Sequence, residues 1–222
     1  RVGLSDRVPD ARDALEVLFA FQRESDAQPG HGGFPGGLGH DQLALRTLDS
    51  GVRAQHVDAG HFADFIEICG LALPPPSQLD VLLFDAGQGN DVIRVNFNAQ
   101  GQQTFVSGID GELTLHGQQG SDRYEIGLAG QISSRINVFD QSRGDAGINR
   151  LRIYGTNEVD YFLLRANKEI GSGMVAAIEV DANRVPVAGG VIERINYDAD
   201  ISGAVEIFGR DGDDVFVLDD NL

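Results

Sequence analysis

The sequence predicts an all-β chain, and three observations carry that prediction. Gly accounts for 29 of 222 residues while Trp is absent and aromatics make up 7%, a balance that favours turns over helices. A Gly-turn-Asp pattern recurs along the chain. Apolar residues flank each copy at alternating positions, the period-two mark of a strand with one buried face.

The pattern is clearest in "GGLGHDQLA", Gly36 to Ala44. A search anchored on its Asp41 asks for Gly or Ala five residues before an Asp and apolar residues two and four after it. That search returns Asp64, Asp91, Asp122, Asp160 and Asp214. The apolar pairs are Leu43 and Leu45, Ile66 and Ile68, Ile93 and Val95, Tyr124 and Ile126, Phe162 and Leu164, Phe216 and Leu218. Seven residues before each Asp stand Phe34, Val57, Phe84, Leu115, Ile153 and Ile207. The unit is therefore strand, tight turn, Asp, strand. Gly in the turn permits positive φ. The Asp either accepts hydrogen bonds from turn amides or ligates a cation, and both roles leave the same sequence trace.

Taken in order, "DARDALEVLFAFQRE", Asp10 to Glu24, reads as a helix with Asp10 as N-cap and Ala14, Leu15, Leu18 and Phe21 on one face. Leu15, Val17, Phe19 and Phe21 also alternate, so a strand is the other reading of the same segment. Ser25 to Gly37 is a loop by composition, and residues 1–35 form an N-terminal segment ahead of the array at 36–222. "ALPPPSQ", Ala72 to Gln78, is a stiff connector. Further strands are expected in "SGVRAQHV" before Asp64, "RINVF" at Arg135 to Phe139, "GMVAAIEV" at Gly173 to Val180 and "GVIERINY" at Gly190 to Tyr197. An insert at about 166–203 interrupts the repeat, either as a binding excursion or as a plain hairpin.

Successive Asp anchors lie 23, 27, 31, 38 and 54 residues apart, which makes an irregular array of about six repeats. Two or three strands per repeat, each with an apolar face for a neighbour to cover, predict a parallel β-solenoid or β-roll. Spacers that lengthen toward the C-terminus leave room for hairpins, so an antiparallel β-sandwich is the alternative.

The formal net charge is −17 and the pI about 4.4. Such a surface repels nucleic acid and anionic lipid and favours cations and basic partners. No run approaches the ~18 apolar residues of a membrane helix. Cys69 stands alone, which excludes an internal disulfide and fits a small buried apolar residue. The sequence opens on Arg1 and reads as a piece of a longer protein.

With six Gly-turn-Asp units in view, the chain from about Gly36 to Leu218 resembles the haemolysin-type calcium-binding repeats of large bacterial secreted and surface proteins, in a degenerate form. In that family tandem nonapeptides wind a parallel β-roll, and turn carbonyls with the Asp at position six hold Ca²⁺ between adjacent turns. The resemblance implies metal candidates at Gly36, Gly39 and Asp41, at Gly87, Gly89 and Asp91, and at Gly209, Gly212 and Asp214. It departs from the family in spacing: the family's units sit nine residues apart, and here none are closer than 23.

Calcium takes six to eight oxygens, so one turn cannot supply a site alone. The richest local supply is "GRDGDDVFVLDDN", where Asp211, Asp213, Asp214, Asp219, Asp220 and Asn221 lie close in sequence. His56, Asp58, His61, His31 and His40 match no zinc spacing. No Gly-x-Ser-x-Gly elbow, Walker loop or His-Glu-x-x-His occurs. Asp140, Glu158 and Asp160 are the carboxylates to consider for sugar hydrolysis. The resulting expectation is a non-enzymatic structural and adhesive segment, secreted or at a cell surface, with calcium as a stabiliser. Its expected partners are neighbouring repeats of a parent chain, further copies of itself, or a cell-surface or polysaccharide ligand. The alternative is a β-solenoid enzyme acting on polysaccharide, or the carbohydrate-binding module of one.

Overall fold

The computed structural model describes residues 81–98, 100–105, 109, 111–141, 144, 146–167 and 171–219, together with the strands 20–23, 41–46, 55–58 and 65–69. Among these residues every regular element is a β-strand, numbered here in chain order, and the strands form two sheets. Across sheet A run β1 (Ala20–Arg23), β2 (Asp41–Arg46), β4 (Phe65–Cys69), β6 (Val92–Val95), β8 (Arg123–Gly127), β10 (Arg150–Tyr154) and β14 (Ala204–Phe208). Across sheet B run β15 (Val215–Asp219), β11 (Tyr161–Asn167), β12 (Ser172–Ile178), β13 (Ile192–Asp198), β9 (Ser134–Val138), β7 (Gly111–His116), β5 (Val81–Asp85) and β3 (Gln55–Asp58).

From β2 to β11 the chain alternates strand by strand between the sheets. Pairing is parallel throughout except at β1·β2, β11·β12 and β12·β13. The alternating apolar residues explain why both sheets hold. Register aligns Ile68, Val95, Ile126, Ile153 and Ile207 in one column of sheet A, and Ile93, Tyr124, Leu151 and Val205 in the next. Sheet B answers with Leu113, Ile136, Ile195 and Val175. These side chains form one shared core, and each full burial is worth roughly 1.5–3 kcal/mol.

The positions between them face outward. On sheet A the register sets Arg94, Glu125, Arg152 and Glu206 side by side, a ladder of alternating charge. Arg94 Nε lies 2.5 Å from Glu125 Oε2, and Arg152 Nε lies 2.7 Å from Glu206 Oε2. On sheet B, Asn196 Nδ2 donates to Asn137 Oδ1 at 2.7 Å, and Asn137 Nδ2 to Thr114 Oγ1 at 3.1 Å. Opposite charges and amide pairs across strands support a parallel register that hydrophobic columns alone would leave free to slide.

Two expectations change. Ala20–Arg23, where helix and strand readings competed, forms β1; residues 10–19 and 24 lie outside the described residues. The six Asp corners are also not equivalent. Asp91 and Asp122 lead from sheet B into sheet A strands, whereas Asp160 and Asp214 lead from sheet A into sheet B. Three strands, β8 to β10, separate Asp122 from Asp160, and an odd number of crossings moves the next anchor to the opposite edge. The insert is an integral part of sheet B: β12 fills the space between β11 and β13, and β13 pairs in parallel with β9.

Candidate functional site

At Asp122, Asp160 and Asp214 the position of the corner carboxylate follows from the Gly five residues earlier, whereas Asp91 has Ala86 at that place. A Cβ placed on Gly117 would lie 2.2 Å from Asp122 Oδ2, 2.4 Å from the Tyr124 hydroxyl and 2.5 Å from Asp140 Oδ1. At Gly209 it would lie 1.9 Å from Asp214 Oδ2, and at Gly155 2.4 Å from Asp160 Oδ2. The Asp side chain thus folds back over its own turn, into space that only Gly leaves. The Gly two residues before the Asp serves the stacking instead. Gly120 has φ +136°, and a Cβ there would lie 1.5 Å from the Gly89 carbonyl oxygen of the adjacent turn.

With the carboxylate so placed, its other oxygen reaches the neighbouring turn. Asp91 N donates to Asp122 Oδ1 at 2.8 Å, Asp122 N to Asn149 Oδ1 at 2.8 Å, and Asp160 N to Asp214 Oδ1 at 3.0 Å. Gly89 N also donates to the Gln119 carbonyl at 2.8 Å, and Gln119 N to that of Gly87 at 3.0 Å. Stacked corners are therefore stapled through one side chain and several backbone bonds. Buried backbone donors need such partners.

At the corner entering β8 and β10 three carboxylates are buried together: Asp91, Asp122 and Asp140. Asp140 Oδ1 accepts the Tyr124 hydroxyl at 2.6 Å, and Asp140 Oδ2 accepts Asn149 Nδ2 at 2.5 Å. Asp122 Oδ2 is buried with no donor facing it. Burial, and after it the neighbouring Asp140 and Asp91 charges, push the Asp122 carboxyl up to about 8, against the pull of the Asp91 amide. A proton on Asp122 at neutral pH relieves the repulsion between its carboxyl and the Asp140 and Asp91 charges. Burial also raises the Tyr124 hydroxyl well above its usual value.

The opposite edge holds a cavity of about 460 Å³. Its floor and walls come from the 129–131 loop, the Thr156–Asp160 corner and the open end of β12 and β13, with Phe105 at the side. Glu158, Asp160, Glu179 and Glu193 line it. Glu193 is 3% exposed, with Oε1 accepting Ala129 N at 3.0 Å and Oε2 accepting Gly130 N at 2.7 Å. Asp160 accepts Thr156 N at 2.7 Å and the Thr156 hydroxyl at 3.0 Å. Burial raises both carboxyls above their ordinary range.

The sequence-selected residues fall as follows. Gly87 and Gly89 form the turn that stacks on Gln119, and Asp91 is buried behind it. Gly209, Gly212 and Asp214 form the corner stacked on Glu158 and Asp160, while Asp211 and Asp213 are exposed beside it. Asp41 begins β2; Gly36, Gly39, Asp220 and Asn221 lie outside the described residues. Asp160 and Glu158 share the cavity, whereas Asp140 belongs to the other edge. Among the described residues no group of three or more His, Cys, Asp or Glu converges as a metal cage. At Asp122 and Asp214 one carboxylate oxygen, Oδ1, is already taken by an N–H donor of the adjacent turn.

Asn149 escaped the sequence search because that search required Asp. Its frame was visible: Gly144 stands five before it, Leu151 and Ile153 two and four after. Glu193 carries no comparable signal, since its partners Ala129 and Gly130 lie more than 60 residues away. No known protein family, curated protein or solved structure matches the chain.

Proposed function

We propose that this chain is a non-enzymatic structural and adhesive segment of a larger secreted or cell-surface protein, its alternating strands wound as a parallel β-solenoid. One observation carries the reading: the corner carboxylates of Asp122 and Asp214 are committed to amides of adjacent turns. Residues used this way build a scaffold. Each rung adds parallel pairing, one corner staple and a share of a common core, the additive economy of repeat proteins. Calcium has no step in this reading.

The test is twofold. An epitope-tagged chain in its native host should be cut by protease added to intact cells; protection until lysis would remove the surface assignment. Purified protein should leave a panel of polysaccharides uncleaved.

The cavity supports a second reading, a polysaccharide-acting enzyme with Asp160 or Glu193 as the acid, because both sit beside Phe105 with raised carboxyls. Cleavage that disappears in Asp160→Asn and in Glu193→Gln would establish it over the scaffold.

A further inference from the structure

We propose that the outward face of sheet A binds an acidic polysaccharide, a chain that presents carboxylates on successive sugar units. The proposal rests on the adhesive half of the reading above, and its binding test fails independently of the surface-location test given there.

The charge distribution is the starting point. The chain carries 34 acidic and 17 basic side chains. The outward positions of β6, β8, β10 and β14 reverse that ratio, with Arg94, Arg123, Arg150 and Arg152 against Glu125 and Glu206. The two glutamates are engaged. Glu125 contacts Arg94, Arg123 at 3.1 Å and Arg152 at 3.8 Å, and Glu206 holds Arg152. Arg150 is exposed and no carboxylate pairs with it among the described residues. It stands directly beside Arg123 on the adjacent strand, about 4.8 Å away along the ladder. Like charges at such positions repel. An anion lying across both guanidinium groups converts that repulsion into two attractive contacts, which are bidentate by preference.

The same face continues into an aromatic strip. Tyr154 and Phe208 stack at 4.9 Å between ring centroids, Phe97 meets Tyr154 edge-on at 5.5 Å, and Phe208 is 41% exposed. Arg210 lies 5.3 Å over Tyr154 and 5.9 Å over Phe105. From Arg150 to Tyr154 along β10 is about 13 Å, a path on which a sugar chain sets its carboxylates on arginines and its C–H faces on rings.

Size separates this ligand from a protein. Four strands at about 4.8 Å and five residues at about 3.3 Å give a patch of roughly 300 Å². A stable protein interface takes about 800 Å² from each partner.

The test is calorimetric titration with polygalacturonate, in chelator so that calcium bridges play no part. Wild type is expected to bind it and to ignore the fully methyl-esterified polymer. Arg150→Glu should weaken binding at least tenfold, and Phe208→Ser should weaken it as well. Arg184→Glu, on the exposed turn between β12 and β13, should bind as wild type does. Melting temperatures of all variants verify the fold, and Arg150→Gln replaces Arg150→Glu if the latter unfolds. Absence of binding, or equal loss in the Arg150 and Arg184 variants, overturns the proposal. Polyglutamate binding as tightly as polygalacturonate overturns it in favour of an acidic peptide partner.

Discussion

Asp122 closes over Gly117, its Oδ2 2.2 Å from where a Gly117 Cβ would stand. The backbone of Gly117 does not need positive φ; what it supplies is room for a carboxylate, a tyrosine hydroxyl and a second carboxylate at one point. Because Asp122 and Tyr124 are buried, none of the three groups has solvent to retreat into.

Gly117→Ala is therefore expected to cost about 3 kcal/mol, the upper end for overpacking a buried site. Gly144→Ala, where the new methyl meets nothing within 4 Å but φ is +88°, should cost about 1 kcal/mol from backbone strain alone. Urea denaturation of the two variants checks the order. Equal losses would mean that the Gly-to-Asp spacing of the motif reflects turn geometry and not the space around the carboxylate.

Much of this was legible in advance. The apolar residues two and four after each Asp are the paired columns of the two sheets, because a period-two pattern with one buried face can be satisfied only one way per strand. The Gly or Ala at minus five was visible as a rule, although the reason for the Gly was not: conformational freedom and room for a side chain leave the same letter. What the sequence withheld was the edge on which each corner lies. That depends on how many strands intervene, and "RINVF" gives no sign of whether it returns to its own sheet or crosses. The cavity was hidden for the same reason, since Asp160 and Glu193 are brought together by β11 to β13 rather than by any local motif. Asp140, grouped by sequence with Glu158 and Asp160 as a carboxylate for sugar hydrolysis, instead accepts Tyr124 and Asn149 at the other edge.

The raised Asp122 carboxyl sets a pH dependence. In the folded chain it holds its proton up to about 8, while the unfolded carboxyl releases it near 3.8. Between those values the folded state binds the extra proton, so this group makes stability fall as pH rises from about 4 to about 8 and level off above. Asp122→Asn keeps an oxygen for the Asp91 amide and a donor for Asp140, as Asn149 does one turn on. The variant should lose this slope and be more stable than wild type at pH 8. Melting curves from pH 5 to 9 decide it; parallel curves for the two proteins would show that Asp122 is ionised throughout.

Glu125 is the hinge of the outward ladder on sheet A. It is 6% exposed and faces Arg94, Arg123 and Arg152. Glu125→Gln leaves three guanidinium groups around an uncharged centre. Breaking a buried pair costs 3–5 kcal/mol, and partial exposure of the arginines screens part of that, so a loss of about 2 kcal/mol is expected. Salt should recover some of it by screening the arginines from one another. A variant as stable as wild type at low salt would reduce the ladder to surface decoration.

Calcium offers the sharpest contrast between the family resemblance and the geometry. A ligand that binds only the folded state raises the melting temperature by mass action, and a calcium-built array should melt many degrees lower in chelator. Here Oδ1 of Asp122 and of Asp214 already accepts an N–H donor, which leaves one oxygen of each carboxylate for a cation. Asp211 and Asp213 are exposed and offer two carboxylates where six to eight oxygens are needed. Millimolar Ca²⁺ added to chelated protein is therefore expected to leave the melting temperature unchanged. A rise that disappears in Asp214→Asn would show that the cation binds at the corner carboxylate, beside the staple to the Asp160 amide.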